Sequence, residues 1–325
     1  MRVKNKVLEI VYFMPAIIFT FLILCGWKTA SYYIERYYGK NCNPQATLKC
    51  STEKAHAFKD KMNQYGHPPA CIFGDCGFDT RALHEDRDFR GSDNYCADGY
   101  VEDQVRALIY VGHGNLMRYN GHPEFIAIQS CRGDADFWCT INGQYIDDVE
   151  GIDRGCFIHS ECMRLGENPG DYFAYPFCGY SNYAFFFSCC SATLNYIGDI
   201  WDQTAKGVHL VGGFNNSMKE YYYWDIWKWD YVCWDSKSVQ PVRDFIDDVS
   251  GSYYSVGYSF LTNLKYEQDN CPVIIGYDSS YSSCYYRLDN ENWEDDTHWY
   301  NDPVNWSAQC YEYWENCPGV KECKL

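Results

Sequence analysis

Nineteen cysteines in 325 residues constrain this chain more than any other feature. One of them, Cys25, lies in an apolar N-terminal segment, which leaves eighteen for the rest of the chain. No two cysteines have C-x-x-C spacing, and no block of cysteine and histidine has the spacing of a zinc module. The cysteines therefore indicate disulfide bonds, which form in an oxidising compartment outside the cytoplasm. We expect no metal and no cofactor.

The N-terminal sequence also indicates export. Residues Ile10–Trp27 form a stretch of 18 residues without a charge, which is long enough to span the hydrocarbon core of a bilayer. The basic residues before it predict that the body of the protein lies outside. Because no small-residue cleavage site follows, residues 1–27 are interpreted as a signal anchor in preference to a cleaved signal peptide. Either interpretation places the body at the cell surface or in the secreted fraction, and membrane contact is expected through residues 10–27.

The charge of the chain excludes one class of function. The formal net charge is −17, and because residues 1–27 contribute +2, the remainder carries −19. A body this acidic repels phosphate backbones, and no basic stripe offsets the repulsion. We therefore expect no binding to nucleic acid.

Short apolar runs predict an α/β fold. Continuous rather than alternating apolar character is typical of central strands that are covered on both faces. Helical stretches lie between these runs, so we expect a mostly parallel sheet with helices on both faces. The predicted strands are Ala70–Phe73, Ala107–Val111, Tyr183–Phe187, Val208–Val211 and Pro272–Gly276. The predicted helices are Ser51–Tyr65, Asp98–Val105, Asn195–Thr204 and Val239–Asp248.

Changes in composition divide the chain into four parts. Residues 1–27 are the signal segment, and residues 28–50 are polar, which favours a stalk or linker. Residues 51–289 form the α/β domain. Residues 290–325 are acidic and rich in Cys and Trp, which favours a C-terminal extension held by disulfides.

Residues Trp224–Trp234 (WDIWKWDYVCW) carry an aromatic side chain at nearly every second position. The segment is compatible with an amphipathic strand, a helix packed on the sheet, or a platform that stacks on carbohydrate. Packing in the core is the favoured interpretation. Two N-glycosylation sequons, at Asn215 and Asn305, are candidate modification sites where the host glycosylates proteins.

Two predicted strands end in residues that carry chemistry. Ala107–Val111 is followed by Gly112-His113-Gly114, and Tyr183–Phe187 is followed by Ser188-Cys189-Cys190-Ser191. In a parallel α/β sheet, reactive groups gather beyond the carboxyl ends of the strands, where a histidine can act as the base for a cysteine nucleophile. The alternative is that the histidine belongs to a turn and that the cysteines are bridged.

These residues resemble a known superfamily. A strand ending in His-Gly, followed later by a strand ending in Cys, is similar to the caspase/gingipain/legumain-like cysteine peptidases. The closer resemblance is to DUF6345, an uncharacterised family of bacterial and archaeal proteins with that fold. The matching pieces span about Ala55–Asp289 and are Asp88–Gly91, Ala107–Gly114, Arg164–Gly166, Cys190–Ser191 and Gly207–Phe214.

The resemblance implies a three-layer, caspase-like α/β sandwich with a Cys–His dyad. It implies that His113 is the general base and Cys190 the nucleophile, with Cys189 as the alternative nucleophile. The backbone N–H groups of Gly114 and Cys190 would form the oxyanion hole. The predicted function is then an exported, membrane-tethered cysteine hydrolase, a peptidase acting on a peptide or protein substrate. The alternative is a non-catalytic exported protein that keeps the fold for adhesion, envelope structure or glycan binding with a cell-surface partner.

Overall fold

The computed structural model of the protein describes residues 29–33, 48–67, 107–117, 125–129, 138–141, 144–147, 157–159, 183–192, 208–216, 218, 220–252, 254–265, 270–278, 289–290 and 308–313. The signal segment 1–27, the predicted strand Ala70–Phe73 and the predicted helices Asp98–Val105 and Asn195–Thr204 lie outside these residues. Within the described ranges, no helix is both long enough and apolar enough to cross a membrane.

The described residues form strands and helices in the order expected of an α/β chain. The strands are β1 (Thr29–Tyr33), β2 (Ala107–Val111), β3 (Gly114–Met117), β4 (Phe125–Gln129), β5 (Trp138–Ile141), β6 (Gln144–Asp147), β7 (Phe157–His159), β8 (Tyr183–Phe187), β9 (Leu210–Phe214), β10 (Tyr222–Asp225), β11 (Asp230–Cys233), β12 (Pro272–Asp278) and β13 (Ala308–Tyr313). The α-helices are α1 (Ser51–Gln64), α2 (Gln240–Gly251) and α3 (Val256–Leu264), and a π-helical turn at Asp235–Val239 leads into α2.

A six-stranded mixed sheet with the order β1-β2-β8-β9-β12-β13 organises the fold. Strands β1, β2, β8 and β9 pair in parallel, whereas β12 pairs antiparallel with both β9 and β13. The α/β class is therefore confirmed, and a disulfide is confirmed between Cys50 and Cys233. The remaining strands form small antiparallel sheets with the orders β3-β4-β7, β5-β6 and β10-β11.

The three helices pack in a row on one face of the sheet. Helix α1 lies against β1 and β2, α3 lies against β9 and β12, and α2 contacts both of the other helices. Phe185 of β8 stacks on Phe260 of α3 at 5.3 Å between ring centroids and meets Phe245 of α2 edge-on at 5.1 Å. Because neighbouring residues of a strand point to opposite faces, Phe186 instead contacts Tyr110 of β2 on the other side. Strands β2, β8 and β9 are buried along their whole length.

Strand β9 begins at Leu210 and continues to Phe214, past the end of the predicted strand Val208–Val211, because its glycines lie inside the sheet. A Cβ atom on Gly212 would come within 2.8 Å of the ring of Phe260 and 2.7 Å of the ring of Phe185. The glycine is therefore a packing requirement of the aromatic core, although a glycine after an apolar run predicts the end of a strand.

Two strands of the main sheet lie outside the predicted domain 51–289. Residues Thr29–Tyr33, expected in a stalk, form the edge strand β1 and pair in parallel with β2. Residues Ala308–Tyr313, expected in a C-terminal extension, form β13 at the opposite edge of the same sheet. The sheet thus draws on both regions that flank residues 51–289.

Helix α1 runs from one end of the parallel strands to the other. At its C-terminal end, the carbonyl oxygen of His67 accepts a hydrogen bond of 3.5 Å from Oγ1 of Thr29, the first residue of β1. At its N-terminal end, the N–H of Cys50 donates to both carboxylate oxygens of Glu220 at 3.3 Å. Lys54, in the first turn of the helix, interacts with both Cys189 and Glu220. Because Cys189 follows β8, the N-terminal end of α1 lies near the carboxyl ends of β2 and β8.

Candidate functional site

The carboxyl ends of β2 and β8 lie side by side. Val111 is paired with Phe187, and the N–H of Gly112 donates to the Phe187 carbonyl oxygen at 3.2 Å, one residue beyond the strands. A Cβ atom on Gly114 would lie 2.6 Å from the Cys189 carbonyl oxygen and 2.8 Å from Ser188 Oγ. The backbone of the His-Gly turn therefore contacts the Ser-Cys turn directly, and only glycine fits at position 114.

His113 is half-buried beside this contact. Its carbonyl oxygen accepts a hydrogen bond of 3.2 Å from the hydroxyl of Tyr110, which holds the backbone of the turn against β2. Ser188 is buried, and its hydroxyl has no hydrogen-bond partner among the described residues. The turns after β2 and β8 thus place a histidine and a buried hydroxyl next to the two adjacent cysteines.

The turn after β8 is fixed by one serine. The Ser191 hydroxyl lies 2.9 Å from the carbonyl oxygens of Phe186 and Ser188, and it accepts a hydrogen bond of 3.1 Å from the N–H of Phe214. Within this turn Cys190 has a φ of 58°, a left-handed conformation that is costly for a residue with a Cβ atom. The turn is therefore tied to its own strand and to β9.

Cys190 occupies a structural position. It is buried and disulfide-bonded, so it has no thiol that could be ionised for attack on a substrate. Its backbone N–H donates to the carbonyl oxygen of Asn216 at 3.0 Å and is therefore already engaged. The roles expected for Cys190 are nucleophile and oxyanion donor. The disulfide conflicts with the first role, and the hydrogen bond from its N–H to Asn216 conflicts with the second.

Cys189 carries a free thiol and is partly exposed. Its Sγ accepts a hydrogen bond of 3.3 Å from the N–H of Met218. Burial raises the pKa of this thiol, an effect that the Met218 hydrogen bond and the positive charge of Lys54 oppose. Within the described part of the chain, the hydrogen bonds of Cys189 Sγ are to Met218, and none is to His113.

A buried ion pair lies beside the Cys189 thiol. Lys54 is only 2% exposed, and its Nζ is 3.8 Å from Oε1 of Glu220, which is itself largely buried. Burial lowers the pKa of the Lys54 ammonium group, and the carboxylate of Glu220 opposes this effect. Glu220 also accepts from the Cys50 N–H at the start of α1, where a negative charge is favoured by the helix dipole.

Sequence reasoning missed Lys54 and Glu220, although a signal for the lysine was present. Five of the six buried residues of α1 recur at helical spacing, at Ser51, Lys54, Ala55, Phe58 and Met62. A lysine within such a stripe predicts a buried amine that needs a carboxylate partner. For Glu220 no comparable pattern exists, because its partners Cys50 and Lys54 lie far away in the chain, Cys50 by 170 residues.

The other predicted site residues are placed as follows. Gly114 begins β3 and is paired in register with Ile128 of β4. Asn215 is half-buried, and its backbone N–H donates to the carbonyl oxygen of Cys271 at 2.9 Å. Asn305 lies outside the described residues. In the described ranges, no cluster of three His, Cys, Asp or Glu side chains is arranged to hold a metal ion.

Residues 222–233, named here the aromatic hairpin, form a second candidate site. They comprise β10, a turn at Ile226–Trp229, and β11. The expectation that this segment packs in the core is wrong, because Trp227 is 87% exposed, Trp229 is 80% exposed and the other rings are about half exposed. The exposed rings are those of Tyr222, Tyr223, Trp224, Trp227, Trp229 and Tyr231.

The aromatic hairpin is fastened to α1 at its base. A disulfide joins Cys233 to Cys50, the residue before the helix. Glu220, two residues before the hairpin, accepts from the Cys50 N–H and pairs with Lys54 in the first turn of the helix. Next to the turn of the hairpin, Asp230 forms an ion pair of 3.2 Å with Lys49 Nζ. The hairpin therefore has a fixed attachment, and its tip extends into solvent.

The comparisons with known proteins give no family for this chain. No protein-family model matches it, and no curated protein is significantly similar to it.

Proposed function

We propose that this chain is an exported cell-surface protein that acts by binding, through the aromatic hairpin, and not by hydrolysis. The observation that carries the proposal is the exposure of the two tip tryptophans. Monomeric soluble proteins seldom leave large apolar side chains clustered in solvent, and such clusters mark interaction surfaces. Tryptophan and tyrosine are also the residues that most often dominate binding energy at interfaces.

The state of the two adjacent cysteines supports the same proposal. The predicted nucleophile, Cys190, is bridged, and the raised pKa of Cys189 keeps its thiol protonated at neutral pH. Nucleophilic cysteines in enzymes instead have a lowered pKa, next to a cation or a histidine base. The disulfide between Cys50 and Cys233 is compatible with export, and tethering is proposed through residues 10–27.

A caspase-like cysteine hydrolase is the second candidate, with Cys189 as nucleophile. The adjacency of the His113-Gly114 turn and the Ser188-Cys189 turn favours it, since a caspase-like sandwich brings a His-Gly strand beside a Cys strand. In this mechanism His113 takes the proton of the Cys189 thiol, and the sulfur attacks the peptide carbonyl carbon. The peptide C–N bond then breaks as His113 protonates the leaving amine, and water releases the acyl group from the sulfur.

A peptide map of the unreduced full-length protein separates the two candidates. The binding proposal predicts that Cys190 is recovered in a disulfide, that Cys189 alkylates slowly at neutral pH, and that a mixed peptide library is not cleaved. The hydrolase candidate predicts cleavage that is abolished by Cys189→Ser and by His113→Ala. A free Cys190 that alkylates rapidly, and more slowly in His113→Ala, would overturn the binding proposal.

A further inference from the structure

We infer that the aromatic hairpin binds a neutral carbohydrate chain, an inference that rests on the binding function proposed above. The inference starts from the observation that some of the exposed rings contact another side chain, whereas others do not. The Trp234 ring lies 4.6 Å from Lys237 Nζ, and the Trp224 ring meets Tyr231 at 5.0 Å between centroids. Among the described residues, the indole rings of Trp227 and Trp229 contact no other ring and no cation. Their flat faces are therefore available to a ligand.

Hydrogen bonds fix the backbone of the turn that carries these two rings. Asp225 Oδ1 accepts hydrogen bonds from the N–H groups of Trp227 at 2.8 Å and Lys228 at 3.3 Å. The aspartate side chain therefore stabilises the turn that follows it. Trp229 has a φ of 52°, a left-handed conformation rarely used by a bulky residue. Strained positions of this kind cluster where a ligand is bound. Because the backbone of the turn is already closed, it loses little conformational freedom when the ligand binds.

The shape of the hairpin suits a linear ligand. Tyr222, Trp224 and Tyr231 share one face, and their rings pack edge to face at centroid distances of 5.0 and 5.2 Å. Because the ribbon is only two strands wide, with about 5 Å between strands, each face is a narrow strip. A typical protein partner covers about 800 Å² on each side, which calls for a broader surface. Sugar rings joined in a chain present successive C–H faces that stack on such a strip of aromatic rings.

The charges around the aromatic hairpin favour a neutral ligand. Asp225 and Asp230 are paired in register beside the turn, on the face opposite Tyr222, Trp224 and Tyr231, and their negative charges repel an anionic ligand. The net charge of −17 repels polyanions such as nucleic acids and anionic bilayers. A cationic ligand is disfavoured at the tip because Lys228 lies between the two tryptophans.

The test uses the detergent-purified full-length protein with cellulose, chitin and xylan as probes. Sedimentation measures retention on each solid polysaccharide, and quenching of tryptophan fluorescence follows titration with cellohexaose, chitohexaose and xylohexaose. We expect the wild-type protein to bind at least one of the three, and Trp227→Ala/Trp229→Ala to weaken that binding at least tenfold. Tyr311→Ala is the matched control, because Tyr311 is an exposed aromatic residue on β13, outside the hairpin.

Each possible outcome either supports or overturns the inference. Retention that falls in the double variant and not in Tyr311→Ala, at an unchanged melting temperature, supports it. It is overturned if the wild type binds none of the polysaccharides, or if the double variant binds as well as the wild type. If no polysaccharide is bound but cells that display the full chain adhere to gelatin through Trp227 and Trp229, the carbohydrate assignment fails and the binding function stands. Cleavage that depends on Cys189 in the peptide-library assay counts against the binding function itself.

Discussion

The backbone N–H of Cys190 donates a hydrogen bond of 3.0 Å to the carbonyl oxygen of Asn216. The side-chain Oδ1 of the same asparagine accepts a hydrogen bond of 3.0 Å from the N–H of Cys271, which is also disulfide-bonded. One buried residue therefore holds the backbone at two bridged cysteines, one after β8 and one before β12. Cys190, the predicted nucleophile, is therefore held by a disulfide and by this backbone hydrogen bond.

The first prediction concerns this asparagine. Asn216→Ala should lower the free energy of unfolding by about 1–3 kcal/mol, because the buried N–H of Cys271 then loses its acceptor. The substitution leaves the sequon at Asn215 intact, so glycosylation is not a confounding change. Urea denaturation of the oxidised protein measures the effect, with Tyr311→Ala as a surface control. Equal stability of Asn216→Ala and the wild type would contradict the prediction.

The second prediction concerns the buried ion pair of Lys54 and Glu220. Lys54→Met should lower the free energy of unfolding by about 3–5 kcal/mol, since the carboxylate of Glu220 is left buried without its cation. The double variant Lys54→Met/Glu220→Gln should be less destabilised than the sum of the two single variants, because it leaves no unpaired charge. A double-mutant cycle by chemical denaturation checks this, and additivity of the two changes would show that the pair is not coupled.

The third prediction concerns the contact between the two strand-end turns. Gly114→Ala should be destabilising by about 1–3 kcal/mol, because its Cβ atom would collide with the Cys189 carbonyl oxygen. Gly66 provides the matched control: it has a φ of 87°, and a Cβ atom added there would meet nothing within 4 Å, so Gly66→Ala reports backbone strain alone. Thermal denaturation compares the two. In addition, Gly114→Ala should change the alkylation rate of Cys189, and Gly66→Ala should not.

The fourth prediction is a pH dependence of Cys189. Because burial raises the pKa of this thiol, the thiolate fraction at neutral pH is small and increases about tenfold per pH unit. The rate of iodoacetamide labelling of the native protein should therefore still be rising at about pH 9, above the ordinary thiol pKa of about 8.5. Cys189→Ser should abolish native-state labelling at this site. A rate that levels off near neutral pH would identify an activated thiol and favour the hydrolase candidate.

Sequence alone located the central strands well. β2 and β8 begin and end at the predicted residues, because each is a continuous apolar run closed by a glycine or a serine. Helix α1 begins at the predicted residue and ends one residue earlier. β1 was missed because its Thr29 and Ser31 are polar although buried, so the strand has no apolar pattern to recognise.

The candidate sites were harder to predict for two physical reasons. Alternating aromatic residues in a hairpin give the same pattern whether or not another element covers them, so the exposure of Trp227 and Trp229 required the tertiary structure. The choice between Cys189 and Cys190 depends on which thiol finds a disulfide partner, and local sequence does not determine that pairing. The sequence thus indicated which segments could form a functional site, but not which rings are exposed or which cysteine is bridged.

Helix α1 separates the two poles of the domain. His67, just after the helix, accepts a hydrogen bond from the first residue of β1, and Cys50, just before the helix, holds the base of the aromatic hairpin. The 14 residues of the helix span about 21 Å. Thr29 follows the proposed membrane anchor by two residues. If the chain is tethered as proposed through residues 10–27, helix α1 would therefore act as a spacer that sets the base of the aromatic hairpin about one helix length from the anchored end of β1.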